Sequence, residues 1–405
     1  MIDESEARQR ILDRISPPTG VETVPLGQSL GRLLANDLAG QVDLPGFDNS
    51  AMDGYAVRVI DAPVGAVLPV VGEQPAGRDL GLVLAPGTAI RIFTGAPIPT
   101  GADAVIMQED VQPAPDGSGI VIAEAPEPGE WIRRRGADLC AGQRILSAGT
   151  PLTAARIGLL ASQGLDRIPV RPRPRVGIVT TGDEVVEPAQ GFDLAAGQLY
   201  NSNGPMLEAL ATAAGAVVRR WHAPDDPESL RQQLGEALET SDCVVVAGGV
   251  SVGERDFVKA CLTDLGVTAD FWKVRIKPGK PFLFGHRDGE KPVAVFGLPG
   301  NPVSAFVTWH LFVSPALIRQ SGGTPEPGLP LGLPPVWGRL DRLLNNPGDR
   351  PHYLRLRIDH ATGDFTPSGL QQSHALFGLS RADVLLRLEP EQALAAGDWV
   401  QGWRL

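Results

Sequence analysis

Between residues 174 and 322, short apolar runs alternate with helix-period segments, and three of the runs end in glycine-rich loops. The loops are VTTGDE at 179–184, VAGGVSVGERD at 246–256 and FGLPGNPVS at 296–304. Repeated strand–loop–helix order predicts a doubly wound α/β/α layer, with ligands held beyond the carboxyl ends of the strands. RVGIVTTGDE reads as a strand and loop, SNGPMLEALATAAGA as a helix and VVRRWHA as a strand. DPESLRQQLGEALETS reads as a helix, with Asp226 as its cap and Pro227 at its first position. DCVVVAGGVSVGE is a buried strand and loop, FVKACLTDLG a helix, and VAVFGLPGNPVSAFVTWHLFV a strand, turn and helix.

The chain has 405 residues, more than one compact core accommodates, so two to four domains are expected. Its 48 glycines and 37 prolines predict many turns and short strands. Residues 5–16 carry apolar positions at helical spacing and stop at Pro17-Pro18. Residues 21–40 read as a strand, VETVPL, followed by a short helix, SLGRLLANDL. From 45 to 140 the runs AVLPVV, AIRIF, AVIMQED and GIVIA alternate with Gly/Pro turns, a β-domain pattern. APDGSGIVIA reads as a hairpin arm after a DG turn. PLTAARIGLLASQGL, within 151–170, is a helix that Gly164 caps. A Pro/Gly linker at 323–335 leads into short strands at 336–405, a small β-domain.

With a net charge of −11 the chain is not built for bulk nucleic-acid binding, although a local anion site inside it remains open. MIDESEARQRILDRI reads as a charged amphipathic helix rather than a signal peptide. No apolar run approaches the roughly 18 residues of a membrane span. Cys140, Cys243 and Cys261 are widely spaced and fit no CxxC pattern, which predicts buried thiols in a reducing, cytoplasmic compartment. Neither a zinc motif nor a GxSxG elbow is present.

The three loops could form a pocket for a phosphate-bearing ligand, because glycine lets backbone N–H groups approach an anion closely. Tight strand–helix turns also need glycine, so each loop alone is ambiguous. None is a GxGxxG or Walker A sequence. The candidate ligand-binding residues are Thr181, Gly182, Asp183, Gly248, Gly249, Ser251, Gly253, Pro299, Gly300, Pro302 and Ser304. The same loops carry Asp183, Glu184, Glu254 and Asp256, with Asp225 and Asp226 at another strand end. Carboxylates beside phosphate repel it unless a divalent cation lies between them, which suits Mg2+. Asp226 is equally a helix cap.

Only five lysines occur, all between 259 and 291, and Lys273, Lys277 and Lys280 lie within FWKVRIKPGKPFLFG. Lysine is a compact point charge on a flexible stem, suited to an oxyanion that must be reached and released. GFDNSAMDGYAVR at 46–58, IFTGAPIPTGADAV at 92–105 and WIRRRGADL at 131–139 are polar loops that ordinary β-turn chemistry could also explain. RPHYLRLRI at 350–358 and SGLQQSHAL at 368–376 add Arg355, Ser373 and His374.

These stretches, with AGGVSVGERDF and GLPGNPVSA, run in one order from about residue 45 to 376. Together they resemble the MoeA family of molybdopterin molybdenumtransferases, which is related to the E domain of gephyrin. The resemblance implies four domains. They are a linking domain of 1–44 plus 141–173, a β-rich domain of 45–140, an α/β molybdopterin-binding domain of 174–322 and a C-terminal β-barrel-like domain of 329–405. It implies a homodimer in which Asp53, Thr94 and Asp138 of one copy approach the lysines of the other.

The implied reaction inserts molybdenum from molybdate into the dithiolene of adenylylated molybdopterin and releases AMP. Gly248, Gly249 and Ser251 would cradle phosphates; Asp225, Asp256 and Glu184 would hold Mg2+. Lys277 and Lys280, with Arg355 and Ser373, would receive molybdate, and Lys273 joins the catalytic set. A molybdopterin adenylyltransferase is an expected partner. The rival expectations are a molybdopterin carrier or scaffold without metal insertion, and a nucleotide pyrophosphatase or adenylyltransferase on the same α/β domain.

Overall fold

The computed structural model describes residues 1–189, 193–249, 257–325 and 332–405. Its backbone packs into two units. One comprises Met1–Ala35, Gly149–Ala154 and Arg167–Leu405; the other comprises Asn36–Ala148 and Ala155–Asp166.

The first unit is organised by a six-stranded sheet. Its strands run Val217–Ala223, Arg175–Thr181, Cys243–Ala247, Val293–Leu298, Leu283–Arg287 and Thr268–Trp272 across the sheet. The first four are parallel; the last two are antiparallel to their neighbours. Every residue of Cys243–Ala247 is buried. Val244 and Val246 pack with Leu230, Leu234 and Val258, whereas Cys243, Val245 and Ala247 pack with Leu207, Val303 and Ala305. The period-2 alternation of a strand thus feeds two apolar layers, each covered by helices. Asn203–Ala213 and Pro302–Thr308 lie on one face, Pro227–Thr240 and Phe257–Asp264 on the other. Asp226 caps its helix as expected, its carboxylate accepting from Ser229 N–H at 2.8 Å.

The C-terminal strands close a five-stranded barrel in the order Pro335–Leu340, Asp364–Pro367, His352–Ile358, Val384–Leu388, Trp399–Arg404. Leu354, Leu356, Phe365, Val384 and Leu386 fill it. The next residues along two of those strands, Tyr353 and Leu385, join the α/β core instead. Ala7 and Ile11 of the helix Glu4–Arg14 enter the same core, and Tyr353 donates to Glu4 Oε1 at 2.8 Å.

One expected helix does not form. SLGRLLANDL follows a single 3-10 turn at Leu26–Gln28 and then runs irregularly, with Gly31 at φ +73°. Leu33 and Leu34 make β-bridges to Pro151 and Val170, and Leu34 is fully buried. Long-range pairing overrides a local run of good helix formers.

The second unit carries a six-stranded mixed sheet with Gly54–Val57 between Ala104–Met107 and Ala89–Ile92. A Cβ on Gly54 would run into the Ile106 carbonyl, so strand pairing itself demands glycine in the AMDGY stretch. The hairpin arm Gly119–Ile122 pairs with Val111–Pro113 around Gly117, whose φ is +71°. Cys243 and Cys261 are buried as expected, but Cys140 is exposed because its loop stands at the surface of this unit. Among the described residues, no helix is long and apolar enough to cross a membrane.

Candidate functional site

Thr181, Ala247 and Leu298 end three neighbouring parallel strands of the α/β sheet, with Thr180 level with Ala247 and Ala247 level with Leu298. The chain leaves Arg175–Thr181 for Val217–Ala223 on one side, then returns to Cys243–Ala247 on the other. This reversal opens a crevice at the strand ends. A cleft of about 820 Å³ occupies it. Thr181, Gly182, Glu184, Asp225, Gly248, Gly249, Pro299, Gly300 and Pro302 all line the cleft. Thus the three glycine loops of the sequence meet at one place.

The glycines are there for close approach. A Cβ on Gly182 would stand 2.7 Å from Glu184 Oε2, and one on Gly248 would stand 2.8 Å from Thr181 Oγ1. Gly248 also sits at φ +102°, where a side chain is strained. Glu184 and Asp225 are exposed carboxylates on the same cleft, and Asp183 accepts the Asp225 N–H at 2.9 Å. Ser251, Gly253 and Asp256 lie outside the described residues. Among the described residues no group of three or more His, Cys, Asp or Glu side chains could hold a metal by itself.

Sequence reasoning passed over Asn201 and Asn203, which also line the cleft. Asn201 is buried; its amide donates to Thr180 Oγ1 at 2.9 Å and to Glu187, and its oxygen accepts from Gly204 N–H. Asn203 Nδ2 donates to the Gly300 carbonyl at 2.7 Å, while its Oδ1 has no hydrogen-bond partner. The only available signal was an Asn-Ser-Asn run at a helix start, which ordinary capping explains.

A second cleft of about 560 Å³ adjoins the first, sharing Pro281, Pro299, Asn301 and His374. Exposed Lys277 and Lys280 line it, with Ser304, Arg350, His352 and Ser373. Among the described residues no carboxylate lines it. Gly279 at φ +114° turns the chain between the two lysines. The Val303 N–H donates to Ser373 O at 3.1 Å, tying this loop to the Pro302–Thr308 helix.

The lysine cluster divides. Lys273, at φ +72°, lines neither cleft; its ammonium lies 4.5 Å from the Trp272 ring centre, and that of Lys259 lies 5.0 Å from the same ring. Arg355 is wholly buried and lines neither cleft. Its Nη2 donates to the carbonyls of Leu370 at 2.6 Å and Gln372 at 3.3 Å, but Nε and Nη1 have no partner. Burial draws its pKa down to about 10. Two unpartnered nitrogens on a buried guanidinium are unfavourable, and a nearby anion would relieve them.

In the other unit, Asp53 Oδ1 accepts from Thr94 N–H at 2.7 Å and from Thr94 Oγ1 at 2.8 Å. The Thr94 backbone bond, then its hydroxyl, hold the Asp53 carboxyl below the usual range, and Arg91 adds to the effect. Asp138 is exposed, its N–H donating to Leu44 O at 2.9 Å. Its neighbours Arg134 and Arg135 bind Asp48, whose carboxylate accepts at 2.7 Å and 2.8 Å, so part of the polar texture here serves the loop itself.

Comparison with known proteins gives consistent matches along the chain. Residues 2–164 match the MoeA N-terminal region (domain I and II), 177–319 a probable molybdopterin binding domain, and 338–405 the MoeA C-terminal region (domain IV). The molybdopterin molybdenumtransferase 2 of Mycobacterium tuberculosis is 39% identical over 419 aligned residues, covering 99% of both chains. The molybdopterin molybdenumtransferase of Haemophilus influenzae is 40% identical over 324 residues, 80% of this chain and 78% of that one. Gephyrin of Dictyostelium discoideum is 32% identical across 91% of this chain and 57% of its own length. The crystal structure of a molybdopterin biosynthesis moeA protein from Pyrococcus horikoshii superposes with a TM-score of 0.82 at 28% identity, covering 100% of each chain.

Proposed function

The chain belongs to the MoeA family, and we propose that it works as a molybdopterin molybdenumtransferase in molybdenum cofactor biosynthesis. It inserts molybdenum from molybdate into the dithiolene of adenylylated molybdopterin and releases AMP. The observation that carries this reading is the pair of adjoining clefts. One has glycine loops and carboxylates at the strand ends; the other has two lysines and no carboxylate among the described residues. A phosphate-bearing pterin and a small oxyanion need those two environments side by side. The two unpartnered nitrogens of Arg355, whose Nη2 bonds Gln372 at the edge of the lysine cleft, support the second half of the reading.

In this reading the glycine loops hold the nucleotide–pterin phosphates through backbone N–H groups. Glu184 and Asp225 would hold Mg2+ together with phosphate oxygens, and Asp256 would join them; so few carboxylates fit a cation that keeps several non-protein ligands. When bound, the cation neutralises phosphate charge. Lys277 and Lys280 hold molybdate near the dithiolene, and Ser373 adds a hydroxyl to that cleft. Positioning and electrostatics do the work: a water molecule opens the phosphoanhydride to release AMP, and no protein nucleophile is required. The active form is a cytoplasmic homodimer, in which Asp53, Thr94 and Asp138 of one copy face the lysines of the other. A molybdopterin adenylyltransferase hands over the substrate.

The test is AMP release from adenylylated molybdopterin with Mg2+, with and without molybdate. Release that requires molybdate is the expected result. Release indifferent to molybdate would identify a pyrophosphatase, and tight pterin binding without release would identify a carrier; either overturns the proposal.

A further inference from the structure

Nothing in the proposed reaction uses His352, yet its position is unusual. It lines the Lys277–Lys280 cleft, is only 7% exposed, and neither ring nitrogen has a hydrogen-bond partner. Buried polar groups are nearly always satisfied, so an orphan ring N–H on a cleft wall points to a ligand that accepts from it. Three residues further along the same strand, Arg355 presents two more orphan nitrogens. Its Nη2 bonds Gln372, which lines the same cleft. Of the two residues only His352 lines the cleft, which carries no carboxylate among the described residues; Arg355 lies buried beyond it, reaching its edge through Gln372.

The ring is also held in a defined place. Lys277 N–H donates to Pro351 O and Tyr353 N–H donates to Lys277 O, each at 2.8 Å, so the backbone on either side of His352 is bound to the lysine. Burial, then the charges of Lys277, Arg355 and Arg350, depress its pKa from 6.5 to about 4. Lys280 and His374 complete the titratable groups that line this cleft among the described residues. A neutral imidazole keeps one N–H donor and one bare nitrogen. It can direct a hydrogen bond without adding a further charge to a crowded cationic cleft.

We propose that His352 is an anion-contacting residue of the lysine cleft, donating its ring N–H to an oxygen of the bound tetrahedral oxyanion and so fixing the anion's orientation beside Lys277. This rests on reading that cleft as the oxyanion site. Bound negative charge offsets the surrounding cations, so the ring's proton affinity rises when the anion enters.

The experiment uses the full chain and molybdate alone. Its affinity is measured by calorimetry for the wild type, H352L, H352Q and K277A, and the imidazole 15N resonances are followed during titration. H352L removes both ring nitrogens and is expected to weaken binding about tenfold or more, the effect of losing a hydrogen bond to a charged group. H352Q keeps a neutral donor and is expected to lose less than about threefold. The His352 resonance, assigned by its absence in H352Q, is expected to move with molybdate. Wild-type affinity in H352L, with binding lost in K277A, would overturn the role of His352 and leave the oxyanion cleft standing. Wild-type affinity in K277A as well would remove the cleft reading itself. Should H352L fail to fold, an unmoved wild-type His352 resonance at saturating molybdate overturns the proposal.

Discussion

Lys277 and His352 are partners in a parallel β-bridge that joins the lysine loop to the first residue of a barrel strand. The lysine backbone is therefore fixed while its side chain stays exposed. This separates structure from chemistry. Replacing Lys277 and Lys280 together with alanine leaves the backbone bonds in place. The double variant should melt within a few degrees of the wild type, yet lose molybdate-dependent AMP release by at least about a hundredfold, as expected when charge stabilisation is removed. Turnover near the wild-type rate would sink the assignment of both lysines.

His352 also makes stability depend on pH. Its folded pKa of about 4 lies below the ordinary 6.5, so the unfolded chain binds the proton more readily. The contribution is fully present above pH 6.5 and is lost as pH falls toward 4, reaching about 3 kcal/mol. Melting temperature should decline between pH 6.5 and 4.5 in the wild type. H352Q should be flatter over that window, and saturating molybdate should reduce the wild-type slope. Equal slopes for wild type and H352Q would show that other groups set the acid limb.

Much of this site could be read from sequence because glycine loops at strand ends are local signals. Gly182, Gly248 and Gly300 are tied to the apolar runs that precede them, so fold and cleft are legible together. His352 was not legible, because its isolation depends on packing between a barrel strand and a distant lysine loop. Asn203 is similar: its partner, Gly300, is 97 positions away. The lysine cluster of the sequence divides in the fold. Lys273 and Lys259 share a sequence neighbourhood with Lys277 but meet the Trp272 ring. The SLGRLLANDL segment failed for the same reason, since its leucines serve bridges to Pro151 and Val170.

Gly54 separates a folding role from the catalytic one proposed for Asp53 within a single motif. Its neighbour Asp53 offers a carboxylate, whereas Gly54 itself is buried between two strands and leaves no room for a Cβ beside Ile106 O. Gly54→Ala should lower the stability of the β-rich unit by about 3 kcal/mol, the size of an overpacking defect. A urea titration followed by Trp131 fluorescence would report it. An unchanged midpoint would mean that the strand can shift away from Ile106, contrary to the close pairing seen here.

Asp53 and Thr94 make the last prediction, because their contact sets a charge as well as a shape. Two bonds from Thr94 favour the ionised carboxylate. Thr94→Val removes only the hydroxyl donor and leaves the backbone N–H. The Asp53 pKa should then rise toward the usual carboxylate value, since a stabiliser of the charged form is gone. If ionised Asp53 serves turnover, the acid limb of the rate profile moves to higher pH in Thr94→Val, and Asp53→Asn lowers turnover by about a hundredfold at every pH. A Thr94→Val profile that overlays the wild type, beside an inactive Asp53→Asn, would place the Asp53 requirement in geometry rather than charge. Full activity in Asp53→Asn would remove Asp53 from the catalytic set, and with it the strongest reason to bring this unit to the lysine cleft of a second copy.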